Sequence, residues 1–223
     1  MFELASVIRR DSKKIAAIMT EEHGKTTPDS LGDLQRGLEV VEHACGISHI
    51  ISGETINNIS KGIDTYSFRV PLGVCAGVAP FNFPAMCPLW MFPFAITCGN
   101  TFVLKPSERV AGATDHLIKL AQEINLPKGV LNVVQGGFDT TSQICKHPDI
   151  KAISFVGGNN AGEYIYQEGA KHGKRMQCNM GAKNHGVIMP DADKEDALNA
   201  LVNAAFGASG QRCMALSTVI FVG

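Results

Sequence analysis

The chain has 223 residues, a formal net charge of −1, and 45% hydrophobic against 18% charged residues. This composition is typical of a globular protein of one large domain or slightly more, and it excludes a disordered chain. The balanced charge offers no surface for nucleic acid or for an anionic membrane. The longest apolar stretch, residues 85–98, contains two prolines and is too short to span a bilayer. The opening residues lack the basic-then-apolar order of a secretory signal.

The seven cysteines are scattered along the chain without a CxxC pair, and the seven histidines show no spacing typical of metal ligands. An odd number of dispersed cysteines is typical of reduced intracellular thiols. We therefore predict no disulfide framework and no metal site.

Helical periodicity dominates the first part of the chain. Residues 2–19 carry apolar side chains on one face, and no capping residue precedes them, so the chain is expected to begin inside a running helix. A second helix is predicted to have Thr27 as its cap and Pro28 at its first position. Its buried face is expected to hold Leu31, Leu34, Leu38 and Val41.

The pattern changes to strands from residue 66 onwards. The alternation of Tyr66, Phe68 and Val70 predicts a half-exposed strand. Helices are predicted over 108–124, where Ser107 can cap, and over 194–206, where Asp193 can cap. Short apolar runs lie at 73–80, 101–106, 129–135, 152–157, 186–190 and 216–223. Strands that are apolar on both faces and separated by helices favour an α/β fold with a Rossmann-like, doubly wound parallel sheet.

Ligands in such a sheet bind beyond the carboxyl ends of the strands. The segments expected there are PFNFP (80–84), KPSE (105–108), QGG (135–137), GGNNAG (157–162) and NMGAKN (179–184). The GGNNAG glycines would let helix amides approach a phosphate, although they would equally serve a plain chain reversal. Lys105 and Glu108 can contact a ribose or a phosphate, or simply begin a helix.

Two further residues suggest covalent chemistry on a carbonyl. Asn82 sits between two aromatics and two prolines, so its amide would be held rigidly enough to donate to an oxyanion, unless it only forms an Asx turn. Cys213 follows Gly210, Gln211 and Arg212, a setting that favours a thiolate nucleophile. A lone cysteine is more often a packing residue, and the local sequence leaves both readings open.

Taken together, PFNFP, LKPSE, FVGGNNAG, NMGAKN and GQRC occur in the order and approximate spacing of the aldehyde dehydrogenase superfamily. The longer stretches around them, such as PLGVCAGVAPFNFPAMCPLWMFPFA and GQRCMALS, resemble its acylating, CoA-dependent branch, which oxidises the semialdehydes of malonate and methylmalonate. The resemblance covers essentially the whole chain. It implies an N-terminal helical segment (1–64), an NAD-binding domain (65–178) and the start of a catalytic domain (179–223).

The resemblance assigns roles residue by residue. Cys213 would attack the aldehyde, with Asn82 and the Cys213 backbone amide forming the oxyanion hole. Arg212 and Arg36 are the candidates for the substrate carboxylate, although Arg36 also fits a solvated helix face. NAD would be bound by Ala79, Pro80, Phe81, Lys105, Glu108, Phe155, Gly157, Gly158, Gly162 and Asn179.

Two positions depart from the pattern of the hydrolytic members. Asn179 stands where those members carry the glutamate that activates water, and an amide cannot act as a general base at neutral pH. Thioester hydrolysis should therefore be slow, and a thiol from coenzyme A would complete the reaction as co-substrate. Gly158 replaces the usual serine, which removes one hydroxyl from the phosphate contact. Glu108 on the ribose would repel a 2′-phosphate and so favours NAD over NADP.

Members of the superfamily are much longer than this chain, so the resemblance also implies a fragment. The implied parent is a homotetramer acting on small semialdehydes in valine and pyrimidine catabolism, in the mitochondrial matrix of a eukaryote or the cytoplasm of a bacterium. Two alternatives remain: a non-catalytic NAD-binding piece, and a hydrolytic enzyme that releases the free acid.

Overall fold

A five-stranded parallel sheet forms the centre of the computed structural model, which describes residues 1–223. The strands are β1 Thr55–Ser60, β2 Ile63–Tyr66, β3 Val74–Val78, β4 Thr101–Lys105, β5 Leu131–Val133, β6 Ile150–Val156, β7 Arg175–Asn179, β8 Asn184–Ile188 and β9 Leu216–Phe221. The helices are α1 Phe2–Arg10, α2 Ser12–His23, α3 Thr27–Ala44, α4 Ile47–Ile50, α5 Met86–Thr97, α6 Gly112–Glu123, α7 Phe138–Lys146, α8 Asn159–Lys171 and α9 Lys194–Phe206. A 3₁₀ turn, Gly207–Gly210, follows α9.

The central sheet has the strand order β5-β4-β3-β6-β7 and is covered on both faces. Side chains alternate along β3, so Cys75 joins the core beneath α1, α2, α3, α5 and α6, whereas Ala76 and Val78 join a smaller core with α7 and α8. The order reverses at β3, between β4 and β6, which is where ligands bind in open α/β sheets. The predicted doubly wound α/β fold is confirmed.

All six predicted apolar runs form strands, but two results differ from the prediction. Strand β7 was missed because Arg175, Gln177 and Asn179 make it polar and exposed at the sheet edge. Strands β8 and β9 form a separate two-stranded parallel sheet, with α9 as their connection. The predicted boundary at 178/179 falls at the last residue of β7, and the three-domain division itself stays a prediction.

The N-terminal helices differ from the prediction in detail. The single helix expected over 2–19 is two helices joined at Asp11. The cap of α3 is Thr26 rather than Thr27, since the Thr26 side chain accepts from the Asp29 amide. Leu31 lies outside the buried face of that helix. Helix α6 begins at Gly112, so Ser107 does not cap it.

The strand expected at Tyr66–Val70 is also corrected. Residues 55–66 form an antiparallel hairpin, β1–β2, and the chain beyond Tyr66 is not a strand. Phe68, in the chain that follows the hairpin, is 84% exposed and belongs to neither core. Tyr66, Phe68 and Val70 do alternate with polar residues in the sequence, but no helix or sheet covers them in the structure. No helix in residues 1–223 has the length and apolar character that crossing a membrane requires.

Candidate active site

A cleft of about 530 Å³ opens at the carboxyl edge of the sheet, where the loops after β3, β4 and β6 meet. It brings together both predicted catalytic residues, Cys213 and Asn82, which are 131 residues apart in sequence. Eight of the ten predicted cofactor residues also line it: Ala79, Pro80, Phe81, Lys105, Glu108, Phe155, Gly157 and Gly158. The other two, Gly162 and Asn179, lie outside the lining.

Lys105 and Glu108 form an ion pair at the end of the cleft. The buried Lys105 Nζ lies 3.3 Å from Glu108 Oε2 and donates to the Pro106 carbonyl at 2.7 Å. A backbone amide hydrogen bond, and then Lys105, hold the pKa of Glu108 below its usual value. Glu108 is therefore an ionised acceptor, suited to hydroxyl groups. A neighbouring cavity of about 460 Å³ between α7 and α8 shares this pair.

The glycine segment after β6 leads directly into helix α8. No side chain caps this helix, and a Cβ placed on Gly158 would meet no atom within 4 Å, so the first-turn amides of α8 face open space. Gly162 has a different role, because a Cβ there would lie 2.7 Å from the Met180 side chain. It is a packing glycine and not part of the cleft lining. Asn179 meets this segment through its backbone carbonyl, which accepts from the Gly157 amide at 3.1 Å.

Asn82 lies in the loop between β3 and α5. Its side-chain Nδ2 donates to the Gln211 carbonyl at 2.7 Å, two residues before Cys213. The neighbouring Phe81 ring stacks on His23, with 5.9 Å between ring centroids, and the Arg109 guanidinium lies 5.7 Å above Phe81. The loop is thus fixed to the segment that carries Cys213 on one side and to the N-terminal helices on the other.

A buried ion pair that the sequence reasoning missed lies beneath this loop. Lys25 Nζ is 2.5 Å from Asp33 Oδ2 and donates to the Asn82 carbonyl at 3.0 Å. Asp33 Oδ1 accepts from the Met86 amide at 2.7 Å. Burial raises the pKa of Asp33 above its ordinary value despite the attraction of Lys25. The GKTTPDSLGD stretch contains a lysine and an aspartate eight residues apart, but this spacing alone does not indicate that they meet.

Cys213 differs from the other cysteines in its surroundings. It is half-buried and lines the cleft, and no other cysteine does so. Burial raises the pKa of the thiols of Cys75, Cys87 and Cys178, and raises that of Cys145 to about 11. Thiols with raised pKa values are poor nucleophiles at neutral pH. The packing alternative therefore describes these four cysteines, of which Cys75, Cys87 and Cys145 are buried and Cys178 is half-buried.

The backbone around Cys213 is held in an uncommon conformation. Ala208, Ser209 and Gly210 all have positive φ values, of 50°, 56° and 73°. Left-handed non-glycine residues cost about 1–2 kcal/mol each and persist where surrounding contacts hold them. On the other side of Cys213, Asn184 Nδ2 donates to the Cys213 carbonyl at 2.8 Å and to the Ala215 carbonyl at 3.0 Å.

A second cavity, of about 410 Å³, lies next to Cys213 and brings Arg36 and Arg212 together. The structure pairs Arg212 with Asp29, with 2.6 Å between the Arg212 Nη2 and Asp29 Oδ1 atoms. Its charge is therefore already neutralised, a feature the sequence did not reveal. Arg36 is exposed and has no ion-pair partner. Of the two predicted arginines, Arg36 is the one whose charge is free.

The carboxylates lining the two cavities share one property: each has a cationic partner. Glu108 pairs with Lys105, Asp29 with Arg212, and Asp33 with Lys25. Within this chain, therefore, no unpaired carboxylate lines the space around Cys213. The described residues also contain no group of three or more potential metal ligands.

A doubly wound sheet, an uncapped helix start at its carboxyl edge and a cleft shared by a cysteine and an asparagine are the features that define the class of protein. The chain belongs to the aldehyde dehydrogenase family, whose sequence profile matches residues 1–222. The resemblance inferred from the motifs is thereby confirmed.

Individual relatives show which members of the family this chain resembles. The human mitochondrial methylmalonate-semialdehyde/malonate-semialdehyde dehydrogenase (acylating) is 62% identical over 97% of this chain. The crystal structure of methylmalonate-semialdehyde dehydrogenase from Oceanimonas doudoroffii covers the whole chain with a TM-score of 0.98 and 49% identity. A protein from Sinorhizobium meliloti assigned to the same activity, and crystallised with NAD, gives a TM-score of 0.97 and 47% identity. The chain spans 41%, 46% and 45% of these proteins, which is less than half of each.

Proposed function

We propose that this chain is part of an NAD-dependent enzyme that oxidises methylmalonate and malonate semialdehydes and transfers the acyl group to coenzyme A. One observation carries the proposal: Cys213 shares a cleft with Asn82, and every carboxylate near it is already ion-paired. The names of the human and Oceanimonas relatives support the same activity.

The cleft fits a dinucleotide. The uncapped first turn of α8 would bind the pyrophosphate, because helix amides and the helix dipole favour an anion. Ionised Glu108 and Lys105 would bind the adenosine ribose, and the neighbouring cavity between α7 and α8 would take the adenine ring. NAD, when bound, supplies the hydride acceptor. The Sinorhizobium protein was crystallised with NAD, which supports this assignment.

The chain's own residues would act on the aldehyde. The Cys213 thiolate forms a bond to the carbonyl carbon, and the negative charge moves to the oxygen. Two donors would stabilise that charge: the Cys213 backbone amide, and the Asn82 N–H that does not bond Gln211. Loss of hydride from the carbon leaves a thioester on Cys213. In the second cavity, Arg36 would bind the substrate carboxylate.

Coenzyme A would then release the acyl group. Its thiol gives up a proton to solvent, the sulfur attacks the thioester carbon, and Cys213 leaves as thiolate. Loss of carbon dioxide from the carboxylate, with the electron pair left on the α-carbon taking up a proton from solvent, gives propionyl-CoA from the methylmalonate semialdehyde and acetyl-CoA from the malonate semialdehyde. Asn179, an amide at the end of β7, would not generate hydroxide to compete. The lack of a general base at position 179 disfavours the alternative, a hydrolytic enzyme that releases the free acid.

A second candidate function follows from the C-terminal part of the chain. Helix α9 buries no residue, and Phe206 and Phe221 are 71% and 70% exposed. This observation favours a non-catalytic NAD-binding piece as the role of the 223 residues taken alone. For the longer parent we propose a homotetramer in the mitochondrial matrix of a eukaryote, in line with the mitochondrial names of the eukaryotic relatives, or in the cytoplasm of a bacterium.

The test is the mass of the Cys213 peptide after the protein is mixed with NAD and malonate semialdehyde and then digested. We expect an acyl adduct on Cys213 that disappears when coenzyme A is added. Cys213→Ser should abolish the adduct and NADH formation while NAD binding, measured by calorimetry, is retained. An adduct on another residue, or loss of NAD binding in the serine variant, would contradict the roles assigned. NAD binding without an adduct would favour the non-catalytic candidate.

A further inference from the structure

The ion pair of Lys25 and Asp33 is sealed from solvent. The Lys25 side chain is 1% exposed and the Asp33 side chain 0%. Burying two charges costs so much desolvation energy that such a pair rarely stabilises a fold more than apolar residues of similar volume would. A role beyond stability is therefore a better explanation of why these two residue types are present.

The remaining hydrogen-bonding groups of the pair are directed at one segment. Lys25 Nζ donates to the Asn82 carbonyl at 3.0 Å, and Asp33 Oδ1 accepts from the Met86 amide at 2.7 Å. Lys25 Nζ also lies 4.9 Å from the centre of the Phe83 ring. The pair thus holds both ends of residues 82–86, the turn that leads from β3 into α5.

The other side of Asn82 reaches the nucleophile segment. Its Nδ2 donates to the Gln211 carbonyl at 2.7 Å. With the backbone oxygen fixed by Lys25 and the side-chain nitrogen fixed by Gln211, the Asn82 amide has little freedom to move relative to Cys213. Displacement of a reacting group by about 1 Å can lower a rate about 100-fold.

We propose that Lys25 and Asp33 are positioning residues that hold the Asn82 amide where it can stabilise the oxyanion formed on the Cys213 substrate adduct. The proposal rests on the function proposed above, since it assumes that Asn82 is an oxyanion donor. Neither residue lines the cleft of Cys213 and Asn82, whereas Asp33 lines the second cavity beside Cys213. They act through Asn82 and do not contact the reacting atoms.

Two variants distinguish a positioning role of Lys25 and Asp33 from a role in the stability of the fold. Lys25→Met removes the contact with the Asn82 carbonyl but leaves Asp33 buried without its partner, so it also destabilises the fold. The double variant Lys25→Met with Asp33→Asn leaves no buried charge, and the introduced amide oxygen still accepts from Met86. Its thermal midpoint should be close to that of the unmodified protein. A matched control is Lys174→Met, which removes another buried lysine that donates to a backbone carbonyl, that of Ile150 at 2.8 Å, in a different part of the sheet.

The first readout is hydrogen exchange of the Asn82 side-chain amide, followed by NMR and assigned with Asn82→Asp. It does not depend on activity. We expect exchange to become at least about tenfold faster in the single and double variants and to stay unchanged in Lys174→Met. Exchange within about twofold of the unmodified protein in the double variant would overturn the proposal. An equal increase of the exchange rate in Lys174→Met would also overturn the proposal, because the faster exchange would then reflect a general loosening of the fold.

The second readout is the rate of acyl-enzyme formation on Cys213. Removal of an oxyanion donor lowers kcat by about 100- to 1,000-fold. We therefore expect a displaced donor to lower kcat by about 10- to 100-fold and to change KM by less than about twofold. A rise in KM at constant kcat would contradict positioning. If the unmodified protein forms no acyl-enzyme, the proposed function fails, and the exchange readout still decides whether Lys25 and Asp33 hold Asn82.

Discussion

At the scale of single residues, Cys213 illustrates what a tertiary neighbour adds. Its local sequence left both a nucleophile and a packing cysteine open, with packing the commoner role of a lone cysteine. The fold sets it in the same cleft as Asn82, at the open start of α8. The thiols of Cys87 and Cys145 are instead buried, and burial raises their pKa values. The difference is one of environment and not of residue type.

The asparagine at position 179 leads to a prediction about the ratio of free acid to acyl-CoA among the products. Asn179 is exposed at the end of β7, so a longer carboxylate can be accommodated there without burying a charge. In Asn179→Glu that carboxylate would be able to activate water against the thioester. We expect the fraction of free acid in the products to rise severalfold.

The measurement is chromatographic separation of free acid from acyl-CoA at saturating coenzyme A. Asn179→Gln is the matched control, because it adds the same length without a charge, and its products should stay unchanged. Equal partitioning in the glutamate and glutamine variants would show that position 179 does not decide the fate of the thioester.

At the scale of elements, helices α3 and α5 pack closely because Gly37 lies between them. A Cβ on Gly37 would be 2.7 Å from Leu89 Cδ1 and 3.1 Å from the backbone of Met86. Leu89 is fully buried within the larger core, so other core side chains surround it. Loss of this close approach would shift α5, the helix that directly follows the Asn82 loop.

We predict opposite effects for two glycine-to-alanine changes in the same helix. Gly37→Ala should lower the free energy of unfolding by about 1–2 kcal/mol, because overpacking outweighs the gain in helix propensity. Gly32→Ala should raise it by about 0.5–1 kcal/mol, since a Cβ there meets nothing within 4 Å. Urea titrations of both variants provide the measurement. A stabilised Gly37→Ala would mean that α3 and α5 are less closely packed than described.

The joint between α1 and α2 predicts a dependence of stability on pH. Asp11 accepts from Arg10 Nε at 2.7 Å and lies 2.9 Å from His116 Nε2 on α6. The hydrogen bond from Arg10, and then that from His116, lower the pKa of Asp11 from its ordinary 3.8 to about 2. Between these values the unfolded chain binds more protons than the folded one, so stability rises with pH. The contribution is complete above about pH 4 and is lost as the pH falls through 2.

Asp11→Asn should therefore reduce stability above pH 4, and the difference from the unmodified protein should shrink as the pH falls towards 2. Urea midpoints measured at intervals between pH 2 and 6 test this. Glu3→Gln is the control, because Glu3 on α1 has no hydrogen-bond or ion-pair partner. A difference in urea midpoint between Asp11→Asn and the unmodified protein that stays constant down to pH 2 would contradict the lowered pKa of Asp11.

At the scale of the whole molecule, the two ends of the chain are stabilised very differently. The central sheet lies between two cores, whereas β8, β9 and α9 pack mainly on one another and α9 buries no residue. Apolar side chains such as Met214 and Phe221 remain exposed there. Exposed apolar surface of this extent is typical of a surface that another protein segment covers.

We predict that this C-terminal unit opens locally before the central sheet unfolds. Backbone amides of β8, β9 and α9 should exchange at least about tenfold faster than those of β3 and β6, because few buried contacts oppose their opening. Hydrogen exchange followed by mass spectrometry resolves the two groups. Equal protection would show that residues 184–223 are stabilised as strongly as the central sheet.

The α/β fold, the apolar strands and the segments at the carboxyl edge could be predicted from the sequence, because hydrophobic periodicity and glycine or proline turns are local properties. The sequence did not reveal strand β7, whose edge position allows polar residues, or the β1–β2 hairpin, whose residues are exposed and carry no buried face. Tertiary structure alone decided that Arg212 is neutralised by Asp29 and that Lys25 and Asp33 meet beneath Asn82. Ion pairs and hydrogen bonds between distant segments depend on distances of a few ångströms, which residue type and spacing do not specify.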